Sequence, residues 1–533
     1  MVGIFDLAAY AAFIFFSLYR LLRYLHIFQQ DEYNTVRFAF WLVTKMAFDK
    51  RVSATLIFLE ISNKFIQNVT LVPTFLETVL VTLLFIVAGV KEPNPLRVAK
   101  KRLVLTKRLK RLLATSMILT FITAYVATTI GSSIAWLVAV QFIQLIIILA
   151  NWLLKPIEIC IQKSFKTAAK NRFCEIAPCT VGITGSFGKT SVKHILGHIL
   201  QMNTNAQFTP GSINTVMGIA RVINEKLEDN CRYFLAEMGA YGIGSISRLC
   251  TFIPPKHGII TSIGEAHYER FKDLETVSKA KFELAQAVSR LDGKVVLDES
   301  VLEHISAYKF VEQNRKMFII VGMKSMADIK ILSIEQTMQG LYVKIYFEAN
   351  EYLLFAPIYG LHHARNMVLA SAMALNLGFS IERIIQSLRT TPQISHRLEV
   401  KKHSCGATYI DDSYNANPNG ISNGLDLLQV LRNENGRRIL ITPGIIELGT
   451  IHDEVHCKLG KKAALATDIT VVVNPERVEA FLKGFKSVDG SGQLFTCDKF
   501  SDAQTWIGLN LRPYDTLLIA NDLPDLIESR FIC

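Results

Sequence analysis

The chain has 533 residues, half of them hydrophobic, and a mean hydropathy of +0.28, which is long for one domain and too apolar for one soluble enzyme. Much of the net charge of +12 lies in basic stretches beside apolar segments, where bilayer orientation explains it better than nucleic acid does. Nine cysteines, without a Cys-x-x-Cys pair, exclude a disulfide framework and a zinc framework; Cys174 and Cys179 have no second ligand pair after them.

The apolar excess sits before residue 155, so residues 1–175 read as an α-helical transmembrane region of four to five segments. Ile4–Tyr19 carries only Asp6 and lacks a basic lead and a cleavage site, which predicts an anchor. Val52–Val90 is broken by Ser62-Asn63-Lys64 and Gln67-Asn68 and reads as a hairpin or re-entrant pair. Leu112–Ile130 and Ser133–Leu154 are clear spans around a turn at Gly131. Residues 20–51 and 91–111 are both basic, which predicts that both loops face the cytoplasm. Five passes with the amino terminus outside then place everything after Lys155 in the cytoplasm, on the inner (cytoplasmic) membrane. Asp6, Glu60 and Glu77 sit near segment ends, where snorkelling satisfies them. The 155–175 stretch, with Lys155, Lys163, Lys166, Lys170 and Arg172, reads as a basic helix lying on anionic lipid.

Residues 178–390 alternate strand and helix patterns, which predicts an α/β ATPase domain with a mostly parallel sheet. Cys179–Thr184 is a short apolar strand, followed by Gly185-Ser186-Phe187-Gly188-Lys189-Thr190-Ser191 and a helix with Val192, Ile195, Leu196, Ile199 and Leu200 on one face. Strand, glycine turn and helix make a phosphate-binding loop: backbone N–H groups close on the phosphates, Lys189 reaches the β/γ-phosphates, and Thr190 or Ser191 ligates Mg²⁺. The strict spacing fails at its first glycine, which is Ile183 here. Tyr233–Glu237 and His257–Ile260 are strands whose ends carry Glu237 and, further on, His267, at the edge where such sheets collect ligands. Leu341–Pro357 is a β-hairpin around Ala349-Asn350.

Residues 391–533 begin at Thr391-Pro392 and read as a smaller Rossmann-like α/β domain without the glycine fingerprint. Its strands are Thr408–Ile410, Ile439–Thr442, Ile469–Val473 and Thr516–Ala520. The run Asp411-Asp412-Ser413-Tyr414-Asn415-Ala416-Asn417-Pro418 ends the first of them.

Over residues 178–525 the sequence resembles the Mur ligases, and within them the branch that adds D-alanyl-D-alanine. The resemblance rests on residues 184–191, Gly211–Thr215, Ala236–Ala240, Ala266–Phe271, Lys279–Leu284, Gly360–Asn366, His396–Glu399 and Asp411–Pro418. It implies ATP as co-substrate, Mg²⁺ ligated by Glu237 and His267, and Lys281 as a carbamylated lysine at the second metal. It places Asn366 on the adenine side, with His363 where the family has an asparagine, and faces Arg397 to the triphosphate, with Asp412 beside it. Asn214, Asn415 and Asn417 fall in motifs on the substrate side. The family's Lys-Gly-Ser near the end is replaced by Ala520-Asn521-Asp522, and its amino-terminal module for a UDP-sugar by the membrane segments.

The resemblance implies a ligase that turns a carboxylate into an acyl phosphate and joins it to an amine, on a small-molecule or lipid-linked cell-wall precursor. Membrane lipid is then a partner; no nucleic acid and no obligate protein partner is expected. A transporter driven by the phosphate loop would account for the spans, yet the Leu-Ser-Gly-Gly-Gln type of run is missing. A non-catalytic scaffold would be free to lose Lys189, Glu237 or Asp411–Pro418, and all are present.

Overall fold

A computed structural model describes residues 4–31, 33–44, 46–67, 74–96, 103–264, 273–414, 417–445, 448–490 and 492–521. The described chain forms two compact units, the first ending at Lys163 and the second beginning at Ser164.

The first unit is helical: α1 (Ile4–Gln30), α2 (Thr35–Thr44), α3 (Arg51–Gln67), α4 (Thr74–Lys91), α5 (Lys107–Ile130) and the larger part of α6 (Ser133–Ile176). In its core Phe85 meets Phe13 and Trp136 edge to face and stacks on Phe16. Among the described residues three helices are long and apolar enough to cross a membrane: Asp6–Gln30, Lys107–Ile130 and Ser133–Ile176. Two sequence expectations change here. Helix α1 does not stop at Tyr19 but runs on to Gln30, because Arg20 is neutralised inside the unit by Asp49 at 3.0 Å and by Glu92, which also takes Arg23 at 3.3 Å. Two cations counted toward a basic loop are therefore part of a helix. The 155–175 stretch is not a separate surface helix: it continues α6, with Pro156 inside. Glu77 accepts from the Ser133 hydroxyl, and Glu60 pairs with Lys64 at 3.3 Å.

The second unit holds two sheets. The first contains β1 (Cys179–Thr184), β2 (Ala206–Phe208), β3 (Tyr233–Glu237), β4 (His257–Ile260), β5 (Val295–Asp298), β6 (Phe318–Gly322), β7 (Ile329–Gln336), β8 (Leu341–Phe347) and β9 (Asn350–Ala356). They lie in the order β2-β3-β1-β4-β5-β6-β7-β8-β9. Strands up to β7 pair in parallel, and β7, β8 and β9 pair antiparallel, so the expected hairpin is the sheet's edge. The apolar side chains of β1, Val181 and Ile183, belong to one of the two apolar layers that flank the sheet. Helices Val216–Lys226, Ser245–Phe252 and Leu274–Ser289 cover one face; α7 (Lys189–Gln201) and the helix His362–Asn376 cover the other. The five apolar positions read on α7 are all buried there.

The second sheet contains β10 (Glu399–Lys402), β11 (Thr408–Asp412), β12 (Arg438–Thr442), β13 (Ile469–Val473), β14 (Gln493–Cys497) and β15 (Thr516–Ala520), in the order β10-β11-β15-β12-β13-β14. All are parallel except β10. The unbroken apolar runs Ile469–Val473 and Thr516–Ala520 are buried on both sides, as a parallel sheet between helices requires.

Candidate active site

Register places the chemistry. With β1 between β3 and β4, Ile183 lies opposite Glu237 and Thr184 opposite Ile260. Three strands thus deliver their carboxyl ends side by side, and the chain leaves β1 there into the loop Gly185–Gly188 and the amino terminus of α7. The first N–H groups of a helix have no acceptor within it, so this end favours an anion. Gly185 (φ +146°) has no room for a β-carbon, which would meet Thr261 Oγ1 at 1.9 Å. At Gly188 (φ +81°) a β-carbon would meet Asn366 Oδ1 at 2.5 Å. The segment after β4 staples the loop: Ser186 N–H donates to the Ser262 carbonyl at 2.8 Å, and Phe187 N–H to Ser262 Oγ at 3.0 Å. Gly264 N–H donates to Ser186 Oγ at 3.0 Å.

Lys189 folds back over the loop, donating to the carbonyls of Gly185 at 2.7 Å and Ser186 at 3.0 Å. Burial pulls its ammonium down to about 8, opposed by Glu237 and helped by Arg397 and Lys193, so it stays charged at neutral pH. Thr190 Oγ1 donates to Glu237 Oε2 at 2.9 Å and lies 3.4 Å from Ser212 Oγ. Ser191 is buried in the first turn of α7 beside it. Glu237 is 1% exposed, and its counter-ion is one the sequence reading passed over: Lys193, fully buried, at 3.1 Å. Lys193 also donates to the Gly211 carbonyl. The signal was available, since Lys193 lies one turn after Lys189 and next to Val192 of the apolar face.

The carboxylate of Glu237 and the hydroxyl of Thr190 are hard oxygen donors in contact with each other, and that donor set fits Mg²⁺. His267 falls outside the described residues, so the second expected ligand has no place in the geometry. Lys281 is 4% exposed on the helix Leu274–Ser289. Burial, and then the charge of Lys189, push its amine far below the usual lysine range, against the pull of Glu237 and Glu283.

Among the described residues, Arg397 of the carboxyl-terminal domain reaches this site. Arg397 Nη2 comes within 3.4 Å of Thr190 Oγ1, with its guanidinium 5.2 Å from the Tyr414 ring centroid. His396 and Leu398 on either side of it hold left-handed backbone (φ +61° and +50°). Asp412 ends β11 and accepts from Leu398 N–H at 3.3 Å. Burial raises its carboxyl to about 7, which Arg397 and that N–H oppose and Asp411 assists. Asn521 N–H donates to the Asp412 carbonyl at 3.0 Å, so the Ala520-Asn521 turn supports the same strand end.

Not every expected residue converges. Asn366 packs on the phosphate loop at Gly188 and reaches His363 Nδ1 at 3.3 Å, which makes it a buttress of the loop. Asn417 caps the helix Pro418–Val430, accepting from Gly420 N–H at 2.9 Å. Asn214 packs against Gly239 beyond the end of β3 and accepts from the Tyr241 hydroxyl at 3.4 Å. Asn415 lies outside the described residues.

Residues 183–374 match the Mur ligase middle domain, and residues 396–521 match the glutamate ligase domain of the same family. The UDP-N-acetylmuramoyl-tripeptide–D-alanyl-D-alanine ligase of Mycobacterium leprae is 27% identical over 364 residues, which is 64% of this chain and 70% of that one. The enzyme of that name from Bacillus subtilis is 26% identical and aligns over 58% of this chain and 64% of its own length. In fold, the chain resembles MurF from Acinetobacter baumannii (TM-score 0.58, 23% identity, 69% of this chain and 78% of that one). It also resembles MurF of Thermotoga maritima in complex with ADP (TM-score 0.58, 20% identity, 69% and 82%). Two matched domains, in order and with the phosphate loop, Glu237 and Arg397 meeting as described, show that this chain belongs to the Mur ligase family of ATP-dependent ligases.

Proposed function

We propose that the chain is a MurF-like ligase held at a membrane, which uses ATP and Mg²⁺ to join a cell-wall precursor carboxylate to an amine of the D-alanyl-D-alanine type. The observation that carries the chemistry is the meeting of Lys189, Thr190, Glu237 and Arg397 at the amino terminus of α7. Helices α1, α5 and α6 support the membrane reading by length and composition.

A substrate carboxylate oxygen attacks the γ-phosphorus of ATP; the bond to the bridging oxygen breaks and ADP leaves. The amine nitrogen then attacks the acyl phosphate carbon, phosphate departs, and the nitrogen loses a proton as the amide forms. Lys189 leaves its two loop carbonyls for the phosphoryl oxygens, and the N–H groups of α7 face the same charge. Arg397 brings a second fixed positive charge from the carboxyl-terminal domain, where Asp412 and the neighbouring backbone position it. Thr190 and Glu237 would hold Mg²⁺, which when bound screens the phosphates. Glu237 would have to exchange its contact with Lys193 for the ion. Lys281, whose amine burial shifts toward the neutral form, is suited to add CO₂ and become a carbamate, losing a proton.

The matched domains begin at residue 183, and what precedes them is helical and apolar where the resemblance leads one to expect a UDP-sugar module. A lipid-anchored acceptor suits such a chain, because confinement raises its effective concentration. The test is kcat/KM in nanodiscs for a polyprenyl-linked and a UDP-linked peptide acceptor with the same amine and ATP. Preference for the lipid-linked acceptor supports the proposal. Equal or better use of the UDP-linked one leaves a tethered ligase for soluble precursors, and ATP turnover indifferent to both acceptor and amine removes the ligase reading.

A further inference from the structure

The first unit contains a cavity of about 680 Å³, within the size range of small-molecule sites. It opens where α2 begins, where α5 begins and along the middle of α6. One wall is apolar: Leu145, Ile148, Leu149, Trp152 and Ile159, of which Trp152 is 67% exposed. The other end is polar and cationic, with Arg108, Lys155, Asn151 and Thr35. Arg108 is held in place, its guanidinium 4.2 Å from the Tyr33 ring centroid and Nη2 3.5 Å from Asn151 Oδ1. Asn151 Nδ2 in turn donates to Thr35 Oγ1 at 3.1 Å. Glu158 also lines the cavity, but its carboxylate is taken by Arg111 at 2.6 Å. Among the described residues neither Arg108 nor Lys155 forms an ion pair.

Depth gives the second argument. The turn at Gly131 sends the chain from the end of α5 back into α6, and Arg108–Asn151 and Arg111–Glu158 join the beginning of α5 to the middle of α6. The apolar stretch of α5 begins after Arg111, and that of α6 ends at Leu154. Arg108 and Lys155 therefore mark the same end of the hairpin, at the level where a bilayer changes from chains to headgroups. The amino termini of α2 and α5, both next to the cavity, add partial positive charge.

From this we infer that the cavity binds a lipid with a phosphate headgroup, its chain along the Leu145–Ile159 face and its phosphate between Arg108 and Lys155. The inference rests on the reading that α1, α5 and α6 lie in a membrane. A free phosphate would use the cations and leave the apolar wall bare; a neutral lipid would do the reverse.

The experiment is native mass spectrometry of the full chain in neutral detergent with phosphatidic acid or with phosphatidylcholine of the same chains. The wild type retains phosphatidic acid in preference by about tenfold or more, the scale two such cations supply near a lipid surface. The double substitution Arg108→Gln, Lys155→Gln abolishes the preference, whereas Lys163→Gln, Lys166→Gln, outside the cavity, keeps it. Leu149→Trp fills the apolar side without touching charge and lowers retention of both lipids, which guards against misfolding of the charge variant as the cause. An unchanged preference in the Arg108/Lys155 variant overturns the proposal, and so does displacement of the lipid by inorganic phosphate alone. Release of the chain from membranes by alkaline carbonate sinks the membrane reading itself; retention with a preference blind to all these variants sinks only the cavity.

Discussion

At the scale of single residues, the site joins charges that would be costly alone. Glu237→Gln removes the carboxylate that Thr190 and Lys193 share, and turnover should fall by orders of magnitude in a protein that still folds. Lys189→Ala should cost about 10²–10³ in kcat, as removal of comparable charge-stabilising groups does. Near-normal kcat in either variant would take that residue out of the reaction. Asp412 supplies a pH test. Its folded value of about 7 lies above the ordinary carboxylate range, so the native state holds a proton that the unfolded chain has lost. Stability from this group is full in acid and declines as pH rises toward 7, then stays level. Asp412→Asn cannot ionise, so its stability relative to wild type, by urea titration without nucleotide, should rise between about pH 4 and pH 7 and stay level above. A constant difference would mean that Asp412 is already ionised when folded. Arg397 came only with the family resemblance, whereas the phosphate loop and Glu237 were legible because glycines, a strand-end acid and flanking periodicity leave a local mark. Lys193 was not, because a buried lysine looks like a surface one until its partner is placed.

At the scale of elements, strands buried on both faces were easy to read and edges were not. Ile469–Val473 and Thr516–Ala520 stand at the bounds their apolar runs predict. The edge strands Glu399–Lys402 and Gln493–Cys497 carry charged and polar residues with exposed positions, so no periodicity announced them. Helix α1 shows the opposite error: Arg20 looked like the end of a span because its partners, Asp49 and Glu92, are distant in sequence. Arg20→Leu leaves Asp49 buried without its counter-ion and should destabilise the first unit by about 3–5 kcal/mol. Adding Asp49→Asn should restore part of that loss. Thermal unfolding in detergent measures both, and an unshifted transition in Arg20→Leu would show that the ion cluster contributes nothing.

At the scale of the whole molecule, the proposed orientation has a direct check. Cys231 is buried and will stay silent, but Cys174 is exposed and Cys405 partly so. An impermeant thiol reagent should miss both in intact cells and reach them after permeabilisation; labelling in unbroken cells would reverse the orientation. The pair of Lys193 and Glu237 has one more consequence, for how the enzyme rests between turnovers. A buried carboxylate at a metal site normally leaves the empty protein with a charge it cannot hide. Here an ammonium of the same chain sits in reserve, so depletion of divalent ions need not loosen the fold. Chelation should leave the melting temperature of the wild type nearly unmoved, while Lys193→Met should melt lower and regain stability as Mg²⁺ is added. The enzyme would then be one that tolerates metal starvation idle but intact, ready to resume when the ion returns.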